Sequence, residues 1–300
     1  MQAGNLTVTC QLNAFRTACL SATGGRSNNE DFCGSQQVEQ SVCWAVADGL
    51  GGYNAGELAS KAAVETVLQS FRVNPELTTA AIEGHINSAQ GAVQTLQQRD
   101  PAMAGMRTTL VVLIGDSHRA LWAHVGDSRL YHFQARGLAH QTDDHSVPQS
   151  LAKAGEISTR QIRGHPDRNR LLRSLGDPGA ARPSVLPAPV LLSDGDAFLL
   201  CTDGFWEYVL ETEMLADLTA SSSPEEWLDR AACRLRTRAH GEFDNYSALA
   251  VFYVAGALDR VSPQAAGKEQ TRKKRGWWLP SLGSRRSVRT GGSAEESEVY

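Results

Sequence analysis

Nowhere in the 300 residues do 18 apolar side chains follow one another, so no helix is expected to span a membrane. The opening stretch, MQAGNLTVTCQLNAFR, has no basic n-region and is broken by Gln, Asn and Thr, which argues against a signal peptide. Six cysteines (Cys10, Cys19, Cys33, Cys43, Cys201 and Cys233) make no CxxC pair and no zinc-finger spacing. They read as reduced packing residues of a cytoplasmic protein. An excess of positive charge is missing as well. The formal charge is −4, and residues 261–300 hold eight Lys or Arg against four Glu, so that end is +4 and the rest −8. A body that acidic is not built to hold nucleic acid. What remains, 41% apolar and 21% charged, is ordinary globular composition with ample material for a core.

Hydrophobic rhythm divides the chain. Residues 12–21 and 42–47 read as strands joined by the polar segment GGRSNNEDFCGSQQ. Helical spacing follows over 56–72 (Leu58, Val64, Val67, Leu68, Phe71) and again in Ile82, Ile86, Ala89, Val93 and Leu96. From Thr108 the period is that of strands in a meander with tight polar turns. Residues 146–182, rich in Arg and Gly with a short helical piece near Gln149 to Ala154, read as a mobile flap. Strands return over 184–202, and Ser223-Pro224-Glu225-Glu226 caps a helix running to about His240. Ser247 to Val254 is the last strand. Helices in pairs beside antiparallel strands predict an α+β, four-layer α-β-β-α sandwich of two stacked, mainly antiparallel sheets flanked by helices. One domain over 1–258 is expected, and 259–300 reads as a disordered basic and aromatic tail.

Four aspartates stand at the ends of apolar runs: Asp48, Asp127, Asp203 and Asp244. Carboxylates carried by strands to one place need cations, and oxygen-only donors suit magnesium, manganese or calcium and not zinc. In Asp48-Gly49-Leu50-Gly51-Gly52 the glycines let the backbone approach an ion, so the Gly49 carbonyl could ligate beside Asp48. Upstream, Arg26-Ser27-Asn28-Asn29-Glu30-Asp31 offers a guanidinium fork for phosphate and two acceptors for metal or its water.

Taken in order, RSNNED, DGLGG, LWAHVGDSRLY, LLCTDG and DNYSALAV resemble the metal-dependent protein phosphatases of the protein phosphatase 2C type, and GHPDRNRLLRSLGDP looks like the bacterial branch. The resemblance spans roughly residues 12–256 and implies a serine/threonine phosphatase. It implies two core Mn2+ or Mg2+ ions and a third, weaker site of the kind seen in bacterial members. Asp48 would bridge the pair, Gly49 and Glu30 serve one ion, Asp203 and Asp244 the other, and Asp127 with Asp203 the third. Arg26 would bind the substrate phosphate, Asp31 would hydrogen-bond metal-bound water, and Asn245 would position Asp244. Water activated between the ions would attack phosphorus, with no protein nucleophile. Phosphorylated proteins and a cognate serine/threonine kinase are the implied partners.

Two departures stand out. Leu50 occupies a position where many eukaryotic members have a histidine able to protonate the leaving oxygen, and Met106 precedes Thr108-Thr109 where a smaller residue is usual. Elsewhere, His145 reads as a structural hydrogen-bonding residue, Asp116 and Asp196 as turn residues, and Arg129 as half of an ion pair. His165 and Arg168 read as flap surface. The run Arg272-Lys273-Lys274-Arg275 before Trp277-Trp278 could meet an anionic membrane surface or a partner protein. Two other functions stay open: a catalytically weak phosphoprotein-binding module of the same fold, and a phosphoesterase for a small molecule.

Overall fold

The computed structural model describes residues 6–51, 55–255 and 277–278. Strands β1 (Leu6–Leu12), β2 (Phe15–Ala22), β3 (Asp31–Val38) and β4 (Ser41–Leu50) lead to helices α1 (Ala55–Val73) and α2 (Thr79–Arg99). Next come β5 (Arg107–Thr108), β6 (Leu110–Gly115), β7 (Arg119–Val125), β8 (Arg129–Gln134), β9 (Gly137–Gln141) and α3 (Val147–Lys153). The chain continues through β10 (Ser184–Val185), β11 (Val190–Leu191), β12 (Ala197–Cys201), α4 (Asp203–Trp206), α5 (Glu211–Thr219), α6 (Pro224–Arg238), β13 (Tyr246–Tyr253) and β14 (Trp277–Trp278).

The strands form two antiparallel sheets, ordered β1-β2-β13-β12-β8-β9 and β10-β7-β6-β4-β3-β14. Period-two burial explains the stacking. Alternate residues of β4 face opposite ways: Trp44 and Val46 enter the layer between the sheets with Phe15, Phe198 and Leu249, while Cys43, Ala45 and Ala47 face the helices. Trp44 also satisfies its indole N–H, donating to Thr17 Oγ1 at 3.2 Å. Helices α1 and α2 cover one sheet through Val64, Val67, Phe71, Ile82, Ile86 and Val93. Helices α5 and α6 cover the other through Met214, Trp227, Leu228 and Leu235. This is the four-layer sandwich that the periodicities predict. Leu58 departs from its expected place, being 43% exposed, because it lies off the stripe that α1 turns to the sheet.

Two local readings change. The second half of the segment joining the first two expected strands is itself β3, whose Gly, Ser and Gln residues hide a strand from any test of apolar alternation. A further strand, β1, precedes β2 as its hairpin partner. The meander is also divided: β6 pairs with β7 in one sheet and β8 with β9 in the other, so Gly126–Ser128 crosses from sheet to sheet. Within the flap, α3 begins at Ser146, whose Oγ accepts from Gln149 N. The return arm is stitched to α2, where Gln90 and Gln94 donate to the carbonyls of Asp177 and Gly179, and Thr108 pairs with Leu175. Of the tail, only Trp277–Trp278 are described, and the expected disorder of 259–300 otherwise lies outside the described residues.

Candidate active site

Arg26, Glu30, Asp48, Gly49, Asp127, Asp203 and Asp244 line one cleft of about 190 Å³ at one end of the sandwich. Asp31 stands behind the wall, 5% exposed. Its neighbours follow from strand register: Asp31 lies directly opposite Asp48 in the β3–β4 pair, so both carboxylates share one face. Like charges so placed repel each other. From the opposing sheet, Thr202 Oγ1 donates to Asp31 Oδ2 at 2.9 Å and accepts from Ser247 N at 3.0 Å, tying the two layers together beneath the cleft.

Backbone contacts hold Asp48 on both sides. Thr109 Oγ1 accepts from Asp48 N at 2.9 Å, and Thr108 Oγ1 donates to Asp48 O at 2.7 Å. Thr109 Oγ1 also contacts Ser128 Oγ at 2.7 Å, which links β4 to the crossover loop bearing Asp127. Sequence reasoning noticed this Thr pair only through Met106, which is fully buried in the helix-side core without disturbing it. Asn245 does more than brace Asp244. Its backbone N–H donates to Asp244 Oδ1 at 2.9 Å, while its side chain accepts from Glu30 N at 2.8 Å and donates to the Thr23 and Asn28 carbonyls. One amide thus fixes the whole loop that carries Arg26 and Glu30.

Gly49 fits where no other residue does. A Cβ there would stand 2.0 Å from the Gly56 carbonyl oxygen in the first turn of α1 and 2.8 Å from the Glu30 carbonyl oxygen. Gly49→Ala is therefore expected to force β4 from α1 and cost about 1–3 kcal/mol of stability, with most activity lost. Denaturant unfolding against phosphate release checks this, and unchanged values for both would refute the clash.

The crossover loop is set by Gly126, at φ +101°, and by His145, whose Nδ1 accepts from Gly126 N at 3.1 Å. His145 stacks on His124 at 4.5 Å and meets Ser184 Oγ through Nε2. Burial and the neighbouring His124 hold its pKa down to about 3, consistent with a neutral structural residue. Arg129 leads away from the cleft into a buried bidentate pair with Asp144, both contacts 2.7 Å. Its guanidinium lies 3.5 Å from the centre of the Trp206 ring, and Trp206 Nε1 donates to Asp127 O at 3.0 Å. Asp116 and Asp196 accept turn N–H groups. Arg168 is engaged within the chain, its Nε donating to Glu207 Oε1 at 2.8 Å. Asn169 and Leu171 of the flap also line the cleft, and no sequence signal singled them out.

Electrostatics define what the cleft lacks. Burial, then mutual repulsion, raises Asp48 and Asp127 well above the ordinary carboxylate range. Burial likewise pushes Asp31 up to about 8 and Asp203 up to about 6. Asp31 Oδ1 and Asp203 Oδ1 are buried without a hydrogen-bond partner. Orphaned carboxylate oxygens in an oxygen-only set fit a hard divalent cation. Among the described residues no three acidic, His or Cys side chains already close on one point, and Asp244 is turned to Arg26, 3.1 Å away.

A pH effect follows. Below about 6.5 the buried histidines oppose it, since a lowered His pKa favours stability as pH rises. Above that only the raised carboxyls still carry protons that the unfolded chain has released. Metal-free protein should lose stability from pH 6.5 to 8, and Mn2+ should stabilise it increasingly over that window. Melting temperatures in chelator and in Mn2+ test this; a chelated protein whose melting point rises across the window would refute it.

The protein phosphatase 2C family model matches residues 21–240. The serine/threonine phosphatase Stp of Listeria monocytogenes is 33% identical over 232 residues, covering 75% of this chain and 90% of that protein. The crystal structure of the Mycobacterium tuberculosis serine/threonine phosphatase PstP/Ppp superposes with a TM-score of 0.71 at 27% identity, over 80% of this chain and 99% of that one. The catalytic domain of PstP in complex with two manganese ions superposes with a TM-score of 0.66 at 26% identity, over 80% and 98%.

Proposed function

Because the chain belongs to the protein phosphatase 2C family and is a serine/threonine phosphatase, we propose that it hydrolyses phosphoserine and phosphothreonine in proteins at this cleft. The observation that carries the reading is the convergence of Arg26, Glu30, Asp48, Gly49, Asp127, Asp203 and Asp244, drawn from both sheets, on one cavity. In this reading Glu30, Asp48 and the Gly49 carbonyl would hold one manganese or magnesium ion, Asp48, Asp203 and Asp244 a second, and Asp127 with Asp203 a third. When bound, the ions supply an acidified water and neutralise the phosphoryl oxygens, a dianion that bare carboxylates would repel.

The chain's own groups do the rest. Arg26, exposed at the rim, exchanges Asp244 for the substrate phosphate. Asp31, oriented by Thr202, keeps its second oxygen available as an acceptor at the back of the site. Leu50, Asn169 and Leu171 line the cleft, and none donates a proton from an acid of suitable strength. The leaving serine or threonine oxygen then takes its proton from water or from a group of the flap. The substrates are phosphoproteins of the cytoplasm whose phosphate a serine/threonine kinase supplies. Among the described residues no helix is long and apolar enough to cross a membrane.

The test is phosphate release from a phosphothreonine peptide and from p-nitrophenyl phosphate, with Mn2+ and with chelator. Metal-dependent turnover of the peptide is expected. No release above chelator would leave a phosphoprotein-binding module, and turnover of the small ester alone would point to a small-molecule substrate.

A further inference from the structure

Charge runs the other way in the flap. Residues 146–182 hold seven Lys or Arg against three acids, a net +4 inside a body (residues 1–260) whose total is −8, so the rest of that body is −12. Elsewhere arginines are answered at close range: Arg119 by Asp116, Arg230 by Glu226, Arg234 by Asp217 and Arg238 by Glu213. Two flap arginines follow suit, Arg163 turning to Glu211 and Arg168 to Glu207. Arg160, Arg170, Arg173 and Arg182 have no acidic partner among the described residues. Arg160, Arg170 and Arg182 are exposed. Arg173 meets neutral groups only, His145 Nε2 at 3.5 Å and the Arg182 carbonyl at 3.4 Å.

Three of these four belong together. After burial and His124, the charges of Arg173 and Arg182 help hold the His145 pKa down, so both flank that ring. Arg170 precedes Arg173 by three residues, at most ~10 Å of chain. It stands between Asn169 and Leu171, which line the cleft, and the bridge of Leu171 to Ser146, with Val147 N donating to Arg170 O at 3.0 Å, fixes this stretch at the rim. Like charges gathered without counter-charges repel, a cost that an anionic ligand offsets. We propose that Arg170, Arg173 and Arg182 form a docking surface at the cleft rim for an acidic segment of the phosphoprotein substrate, within a few residues of the phosphorylated serine or threonine. The ~10 Å from Arg170 to Arg173 matches about three residues of an extended peptide. Guanidinium groups take carboxylate and phosphate alike, so Asp, Glu or a second phosphorylated residue would serve. A short acidic peptide fits better than a nucleic acid or an anionic membrane, whose extended charge would meet the −12 of the surrounding body. Arg26 and the metal site take the phosphate being removed, and these arginines take the charges beside it. Recognition of substrate there rests on the phosphatase reading.

The test uses the full chain with Mn2+ and labelled phosphothreonine peptides whose flanking residues are acidic or neutral. In wild type kcat/KM should favour the acidic peptide by about tenfold at low salt, through KM. The gap should close in ~0.5 M salt, where the screening length falls to roughly 4 Å. The triple variant Arg170→Gln, Arg173→Gln, Arg182→Gln should lose the preference while turning over the neutral peptide as wild type does, and the matching triple Lys variant should keep it. Because Arg173 meets His145, melting temperatures are measured alongside, and Arg170→Gln with Arg182→Gln, which leaves that contact intact, should already lose most of the preference. Equal kcat/KM for the two peptides in wild type overturns the docking surface, as does a preference that survives in the Gln variants. Binding of phosphatidylserine vesicles or duplex DNA that the Gln variants lose, with no peptide preference, assigns the arginines to another polyanion and overturns it too. If neither peptide is turned over, the phosphatase reading fails and fluorescence anisotropy of the same peptides still decides the surface. Tighter binding of the acidic peptide, lost in the Gln variants, upholds it, and equal binding removes it.

Discussion

Asp48→Asn should lower metal-dependent phosphate release by about a thousandfold or more while the protein stays folded. The substitution keeps the shape of the side chain and the backbone contacts from Thr108 and Thr109, so the change is one of charge alone. Asp48 is the carboxylate whose shift draws on Asp31, Asp203, Asp127 and Asp244 together, which places it at the electrostatic centre of the cleft. A bridging ligand lost there weakens two cations at once, and two-metal sites derive most of their rate from the charge those ions neutralise. Relief of repulsion should also raise the melting temperature of the metal-free variant. The measurement is steady-state release from a phosphothreonine peptide across Mn2+ concentrations, with melting curves in chelator. Activity within tenfold of wild type at saturating Mn2+ would remove Asp48 from the bridging role.

Asp144→Ala should be the most damaging change to stability outside the apolar core. Arg129 and Asp144 side chains are 3% and 1% exposed. Removing the acid leaves a guanidinium buried against Trp206 with only the Tyr131 hydroxyl at 3.2 Å and a more distant Glu211 to answer it. Stranding one partner of a buried pair costs about 3–5 kcal/mol. For a domain of this size that is a fall in melting temperature of roughly 6–20 °C. The double change Arg129→Met, Asp144→Leu should recover most of it, because an apolar pair leaves no charge behind. Because Trp206 also holds the Asp127 carbonyl, activity at low Mn2+ should drop more steeply than activity at saturation. A single-variant loss under 1 kcal/mol would show the pair to be solvated.

Much of this was legible in the residues because strand ends and carboxylates leave strong local marks. The apolar runs before Asp48, Asp127 and Asp203 and after Asp244 become strands, and Ser223 caps α6 as its spacing predicts. β3 was hidden, since FCGSQQV carries no apolar alternation and owes its strand state to pairing with β4. The sheet crossover at Gly126–Ser128 was hidden too: a tight polar turn looks the same whether it closes a hairpin or leaves a sheet. Within the site, ionisable residues announced themselves, whereas Thr202, Thr108, Thr109 and the anchoring side of Asn245 act through neutral hydrogen bonds to partners far along the chain. Asn169 and Leu171 reach the cleft where the flap pairs with the entry to α3, Leu171 lying opposite Ser146 and Val147 N donating to Arg170 O.

The origin of the cleft residues in two sheets has a mechanical side. Asp31 and Asp48 belong to one layer and Asp203 and Asp244 to the other, with Thr202 to Asp31 among the hydrogen bonds that join the layers beneath them. A cation gripped from both layers is a cross-link, comparable to a disulfide placed at one end of a sandwich. The same ions that serve hydrolysis would then decide whether the sheets part there first, making resistance to unfolding and to proteolysis a property of the metal supply.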